Sequence, residues 1–331
     1  MWFETLTGFR EESIEQVHNN ISIDGTTLIS HVNGKKFICG VLEIPSLMEL
    51  RRRVAAQRLR DGRISVREVI ADVQQLHTDK SNAGALFQVA SQFNLLEMPS
   101  SDVTPENGVS HYEYDLTQGP ACAIAAGAGI VYRNYFVNVN GEIGQSADNQ
   151  IDCLADIGQA LGNTNHRLWV MKNGYALASE QGLFEINSKI AVLSESERDD
   201  LKRLLRIGIQ WDTEVTLNNC KHTVTQAYCS ALPIGYSQHS SELWAEFAQL
   251  ILEASYEATI CAGILNSIKS GNNSIYLTLV GGGVFGNDNN WIINAIAQAL
   301  HAYKHIDLDV AIVSYGASKD CVQELLHQFQ Y

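Results

Sequence analysis

Proline is scarce, five in 331 residues, which excludes a Pro-rich linker. Cysteine occurs seven times, at Cys39, Cys122, Cys153, Cys220, Cys229, Cys261 and Cys321. The count is odd and no CxxC occurs, so neither a disulfide framework nor a zinc ribbon is expected. The histidines show no HExxH or other metal-ligand spacing, so no metal is expected either. Basic residues number 23 against 37 acidic ones, a formal charge of −14 with pI near 5.1. A field of that sign excludes general affinity for nucleic acid or anionic membrane, and leaves open a local anion site built from backbone N–H groups. The longest mostly apolar stretch, Ala121 to Tyr132, is too short and too small to span a bilayer. The opening MWFETLTGFREESIEQ has neither a basic n-region nor an apolar h-region, so no secretory signal is expected. Repeats and low-complexity segments are missing too. The expectation is a soluble, cytoplasmic protein of a reducing compartment, acting as a monomer.

What is there suits a folded core: 45% of residues are apolar and 18% charged. At roughly 150 residues per domain the length allows two domains or one large α/β domain. Lys36 to Ile44 reads as a strand ending at Pro45, and Ser46 as the cap of a helix through Leu47, Leu50, Val54 and Leu59. Val66, Val69, Ile70, Val73 and Leu76 predict a second helix capped by Ser65. The run Arg51-Arg52-Arg53 reads as a solvated helix face in so acidic a chain. Strands are expected at 85–92, 168–171, 224–231, 275–280 and 308–314, with His111 to Asp115 extended. Helices are expected over 119–134, from Ser240-Ser241 through about position 265, over 290–303 and over 319–329. Strands alternating with helices, several uniformly apolar, indicate an α/β sheet covered on both faces. An N-terminal extension over 1–80 is expected to precede the main domain, 81–331, and to lend part of itself to it.

Two loops carry chemistry. The first is Asp115 to Arg133, DLTQGPACAIAAGAGIVYR. A strand is expected to deliver the chain to Thr117, Pro120 suits a first helical turn, and small residues follow. The free N–H groups and dipole at such a tip favour an anion; tight helix–sheet packing is the other reading. The second is Leu279 to Asp288, LVGGGVFGND, between an apolar strand and a helix. Its glycines permit close backbone approach to a ligand beyond the carboxyl end of a strand. It is neither a Walker A loop nor GxGxxG. Phe285 can shield a ligand or anchor the core. Two such loops in one sheet suggest a diphosphate held from both sides.

In these two segments the chain resembles macrodomains. TQGPACAIAAGAG is similar to their Gly-rich catalytic loop and helix, and GGGVFGN to their second, diphosphate-gripping loop. The order agrees as well, with an Asn-bearing loop at Phe93-Asn94 after an early strand. The wording NAGALFQVASQFNLLEMPS…TPENGV…YEYDLTQGPACAIAAGAGIVYRNYF resembles a divergent branch that includes poly(ADP-ribose) glycohydrolase-like proteins and bacterial effectors hydrolysing ADP-ribosylarginine. The resemblance implies a macrodomain-like α/β fold: a mixed, mostly parallel sheet with helices on both faces, plus an N-terminal helical and strand extension. It implies ADP-ribose as ligand, no cofactor, and an ADP-ribosylated protein as partner. It leaves open the chain's own cell or a host cytosol as the place of action. The chain departs from the family where acids are usual. Ala121 stands where mono-ADP-ribosylhydrolases carry Asp, and Tyr132, Arg133 and Asn134 stand nearest the Gln-Glu-Glu of poly(ADP-ribose) glycohydrolases. Catalysis must use another carboxylate or be absent.

Breaking an ADP-ribosyl bond requires a carboxylate near the ribose to orient water, and sometimes a second to protonate the leaving group. Asp115 is the first candidate, its alternative role being a turn cap. Glu106, in TPENG, is the second, and Glu113, alternating with Asp115 on one face, the third. Ligand-binding candidates are Asn94 for ribose hydroxyls and Glu97 beside it, then Thr117, Gln118, Gly119 and Cys122. Gly282, Gly283, Val284, Phe285, Gly286 and Asn287 follow, with Tyr315 placed to stack on adenine or to pack. Cys122 lies near a helix N-terminus, which lowers a thiol pKa, so a cysteine hydrolase with His111, His222 or His239 is a further option. Glu257 is expected to hydrogen-bond across the core. The leading expectation is an ADP-ribosylhydrolase favouring arginine linkages; an ADP-ribose reader is the alternative.

Overall fold

A computed structural model describes residues 1–59 and 61–329; the last two positions of the domain expected to end at 331 lie outside it. Seven strands form one sheet: β1 Val41–Glu43, β2 Ser65–Ile70, β3 Leu86–Ala90, β4 Gly208–Glu214, β5 Thr223–Cys229, β6 Ser274–Leu277 and β7 Asp309–Ser314. Their spatial order is β1-β4-β5-β3-β6-β7-β2. β5, β3, β6, β7 and β2 run parallel, and β4 is antiparallel to both β5 and β1. This is the α/β sheet that alternating strands and helices predict, mixed and mostly parallel as the resemblance implies. The central strands are apolar along their whole length because helices cover both faces: Leu86, Phe87 and Val89, like Val310, Ala311 and Ile312, are wholly buried.

The helix Ser241–Ser270 crosses the core beneath the sheet and is buried on nearly every side from Phe247 to Ile264. It packs on Asn289–Ala302 and Leu47–Ala55. Ser46 and Glu49 form a reciprocal capping box at the start of the latter. Arg51, expected on a solvated face, instead reaches inward. Its Nε is 2.6 Å from Glu257 and its Nη1 2.7 Å from Asp199, while Lys202 stands 3.3 Å from the same Glu257.

Four expectations are corrected. The strand expected over Lys36 to Ile44 is two, Lys36–Ile38 and β1, which belong to different sheets. The helix expected over 66–76 is strand β2 followed by a short helix, Val73–Thr78. Val66, Val69 and Ile70 are consistent with helical spacing, but six consecutive residues pair with β7, and that ladder decides. His111 to Asp115 is not extended: Ser110–Tyr114 is a 3-10 helix, so no strand delivers the chain to Thr117. The helix expected over 119–134 is two, Gln118–Ala125 and Gly127–Tyr135, broken at Ala126. The strand β4 has no counterpart in the sequence reading.

Two strands from the first 80 residues, β1 and β2, belong to the main sheet. The first 38 residues form a separate layer: helices Trp2–Thr7 and Ile14–Asn20 and a three-stranded antiparallel sheet. Phe3, Leu6, Val17 and Leu28 share a second core with Leu96, Tyr112, Ile130 and Tyr135. Glu11 fastens this layer, accepting from the N–H groups of Val109 (2.8 Å) and Ser110 (2.6 Å) and from the Tyr135 hydroxyl (2.8 Å).

Candidate functional site

The carboxyl ends of β3, β6, β7 and β2 open onto one depression of two adjoining lobes, about 570 and 320 Å³. Ligands in open α/β sheets occupy this position, because loops leaving the strand ends diverge there. Asp115, Thr117, Gln118, Thr278, Leu279 and Gly283 line both lobes and so form their shared wall.

The first loop is clamped to β3. Gln118 accepts from the Ala90 N–H (2.9 Å) and donates to the Gln88 carbonyl (2.8 Å). Gly119 has no room for a side chain, since a Cβ would collide with the Ala90 carbonyl oxygen. Asp115 accepts the Thr117 N–H at 2.9 Å, the expected turn bond, and still faces the cavity. The N–H groups of Gln118 and Gly119 have no partner among the described residues.

The second loop is held from beneath. The Tyr256 hydroxyl donates to the Thr278 carbonyl (2.8 Å) and accepts from the Val280 N–H (2.9 Å). Asn287 donates to the Leu232 carbonyl (2.9 Å), and its own N–H closes on Gly281 (2.9 Å). Gly281 adopts φ +80°, where a Cβ would strike Ala231. So braced, the loop presents the N–H groups of Gly283, Val284 and Phe285 without partners among the described residues, the arrangement that binds anions.

Acids and aromatics complete the walls. Asp72, Glu113, Asp115 and Lys319 line the larger lobe with Trp2 and Tyr315. Glu113 accepts the Trp2 N–H at 3.2 Å. The smaller lobe holds Tyr175, Tyr236 and Phe285, whose ring centroids stand 5.1 to 5.6 Å apart. Glu97 lines the same lobe, fully buried, each oxygen 3.3 Å from Arg133 Nη2. Arg133 is buried as well. It donates to the Leu95 carbonyl (3.0 Å) and the Tyr228 hydroxyl, and its guanidinium lies 3.7 Å from the Tyr228 ring centroid. Tyr228 in turn donates to Gln226 (2.7 Å), whose amide meets His77 Nε2 at 3.0 Å. Burial pushes the Glu97 carboxyl up to about 7 against the opposing pull of Arg133.

Of the expected residues, Asp115, Glu113, Glu97, Thr117, Gln118, Gly119, Gly282, Gly283, Val284, Phe285 and Tyr315 line the cavity. Others stand behind it. Asn94 is fully buried, bonded to Gln150 (2.8 Å) and to the Leu96 N–H (3.1 Å), where it braces a loop behind the cavity wall. Glu106 lies on an exposed 3-10 turn and accepts the Ala147 N–H at 2.7 Å. Gly286 and Asn287 shape the second loop from within. Cys122 is buried with Gln118 donating to its sulfur at 3.2 Å. The helix start was expected to lower its pKa; desolvation instead pushes the thiol well up, the state opposite to a nucleophile. His222 is engaged with the His77 carbonyl at 2.8 Å.

The sequence reading missed Trp2, Asp72, Gln92, Tyr175, Tyr236 and Lys319 in the walls. Asp72 had a signal: it caps the helix Val73–Thr78, accepting from Gln74 at 2.7 Å, and reading 66–76 as one helix hid it.

No protein-family model and no curated protein matches the chain. Among solved structures, it is similar to poly(ADP-ribose) glycohydrolase from Thermomonospora curvata bound to the inhibitor ADP-HPD, at 10% identity over 96% of each chain with TM-score 0.44. It is similar to the same enzyme in another T. curvata structure, at 10% identity over 95% of each chain with TM-score 0.45. Poly(ADP-ribose) glycohydrolase from Deinococcus radiodurans in complex with ADP-ribose is likewise similar, at 10% identity, over 87% of this chain and 95% of that one, with TM-score 0.44. Likeness at this level does not transfer an activity or a ligand from one chain to another.

Proposed function

We propose that the chain is an ADP-ribosylhydrolase of the macrodomain kind. One observation carries this reading: two braced loops, each with N–H groups lacking partners, line a single cavity whose shared wall bears Asp115. The resemblance of the same two loops to the macrodomain diphosphate grip supplies the ligand. The pyrophosphate sits between the 117–119 and 282–285 backbones, and Phe285 with its two tyrosines excludes water from the smaller lobe.

In the reaction, water attacks the anomeric carbon of the distal ribose as the bond to the leaving side chain breaks. The carboxylate of Asp115 orients that water and takes its proton; the leaving atom keeps the bonding pair and gains a proton. Glu113 is the second acid on the same wall, and Glu97 is the buried one. The products are ADP-ribose and the restored side chain. An arginine linkage is the favoured substrate, on the strength of the resemblance, and the carboxylates of the larger lobe suit a guanidinium leaving group. The reaction is expected to need no cofactor.

A second reading, a non-catalytic ADP-ribose reader, is favoured by one observation. Ala121 lines the cavity where the resembling hydrolases carry their Asp. Asp115→Ala separates the two. Titration calorimetry with free ADP-ribose, with AMP as control, is expected to give similar affinity for the wild type and D115A. Turnover of ADP-ribosylated protein is expected to fall about 100-fold or more in D115A, the usual yield of one positioned acid or base. Binding without turnover by the wild type would establish the reader.

A further inference from the structure

Beyond Trp2 and Ile124, which line the larger lobe, a second groove of about 850 Å³ opens, and the same two side chains form part of its wall. The two depressions are therefore neighbours. The groove's charge is the reverse of the chain's. Lys35, Lys36 and Lys221 line it, against a single acid, Glu214. Glu214 is nearly buried, and its carboxylate is engaged by the Ile38 N–H at 2.8 Å, fastening the strand Lys36–Ile38. The ammonium groups of Lys36 and Lys221 form no ion pair or hydrogen bond among the described residues, and that of Lys35 donates only to the Thr5 carbonyl, 3.1 Å away. In a chain of formal charge −14, three ammonium groups without ion pairs share this one groove.

The chemistry of the remaining lining narrows the partner. Asn218 and Asn219, both exposed and both at positive φ (52° and 55°), add amide donors next to Lys221. The cations stand on two separate segments, the 35–36 hairpin and the 217–221 turn, and none is an arginine fork. A single phosphate needs donors converging on one centre. Ammonium groups spread along an open groove suit carboxylates spread along a chain instead. Trp2, Leu6 and Phe37 supply apolar wall between them.

We propose that this groove docks an acidic polypeptide segment of the modified protein, beside the cavity that takes its ADP-ribosyl group. The inference rests on the hydrolase reading for the identity of the partner and on the groove alone for its charge preference. Fluorescence anisotropy with a labelled twelve-residue Glu-rich peptide tests it. The wild type is expected to bind the peptide with an affinity that falls as salt rises. The double variant K36E/K221E is expected to bind at least about tenfold more weakly, since two attractive contacts become repulsive. Its calorimetric affinity for free ADP-ribose is expected to stay unchanged, which shows that the variant is folded and the cavity intact. Equal peptide affinity in both proteins, or none in either, overturns the docking site. So does tighter binding of a single-stranded DNA oligonucleotide of equal charge. Failure of the wild type to bind ADP-ribose instead overturns the reading of the cavity, and with it the modified protein as partner, while the peptide arms still decide the groove.

Discussion

Glu97 and His77 are two buried titratable side chains at opposite ends of one polar chain that runs through Arg133, Tyr228 and Gln226. Burial acts on them with opposite sign. It raises Glu97 from 4.5 to about 7, so the folded protein holds that proton more tightly than the unfolded chain. The stability this contributes is present below about 4.5 and lost as pH rises toward about 7. Burial lowers His77 from 6.5 to about 4, and its contribution is present above about 6.5 and lost as pH falls toward about 4. Over nearly the same window the two slopes oppose each other. Urea unfolding at a series of pH values is expected to show this. E97Q should lose stability on acidification more steeply than the wild type, and H77F less steeply, whatever each costs at neutral pH. Parallel curves for all three proteins would mean that neither group carries the shift. The contact between Glu97 and Arg133 that starts this chain was invisible in the sequence. Glu97 was legible as an acid near the early strand, but Arg133 lies 36 positions away, and only packing makes the two neighbours.

At the scale of elements, the glycine-bearing loops were the most legible part of the site. A glycine after a strand signals close approach, and Gly119 meets the Ala90 carbonyl while Gly281 meets Ala231. Gly119→Ala is expected to cost roughly 1–3 kcal/mol by overpacking and to abolish ADP-ribose binding, because the loop must leave β3 to admit the methyl group. Thermal unfolding and calorimetry together check it; unchanged affinity would remove the first loop from the binding site. Element type was less legible where two patterns compete. Residues 65–70 satisfy a helical spacing and an edge strand alike, and the deciding partner, β7, lies more than 240 positions away. Strand β4 was missed for a related reason. Residues on both faces of it, Trp211, Thr213 and Glu214 among them, are buried, so the strand shows no clean alternation. The arginine run shows the same limit in charge. Acidity of the chain argued against a polyanion partner for it, yet could not foresee that Arg51 would satisfy both Asp199 and Glu257.

On the scale of the whole molecule, the N-terminal layer is part of the cavity, since Trp2 stands in the wall of both depressions. Glu11 is its principal polar fastening. Glu11→Ala leaves the Val109 and Ser110 N–H groups and the Tyr135 hydroxyl without their acceptor, and is expected to cost roughly 1–3 kcal/mol. Hydrogen exchange should then show faster opening in residues 1–30 and 109–114, with the central sheet unchanged; uniform protection would mean that apolar packing alone holds the layer. The sequence by itself determined the α/β class, the apolar central strands, the long buried helix and the two glycine loops, because each is written in local spacing and composition. Tertiary structure alone decided which acids face the cavity, that Asn94 stands behind its wall, that the Cys122 thiol is desolvated, and that lysines from two distant segments share one groove. Those outcomes depend on burial and on contacts between residues far apart in the chain, and no local pattern encodes either.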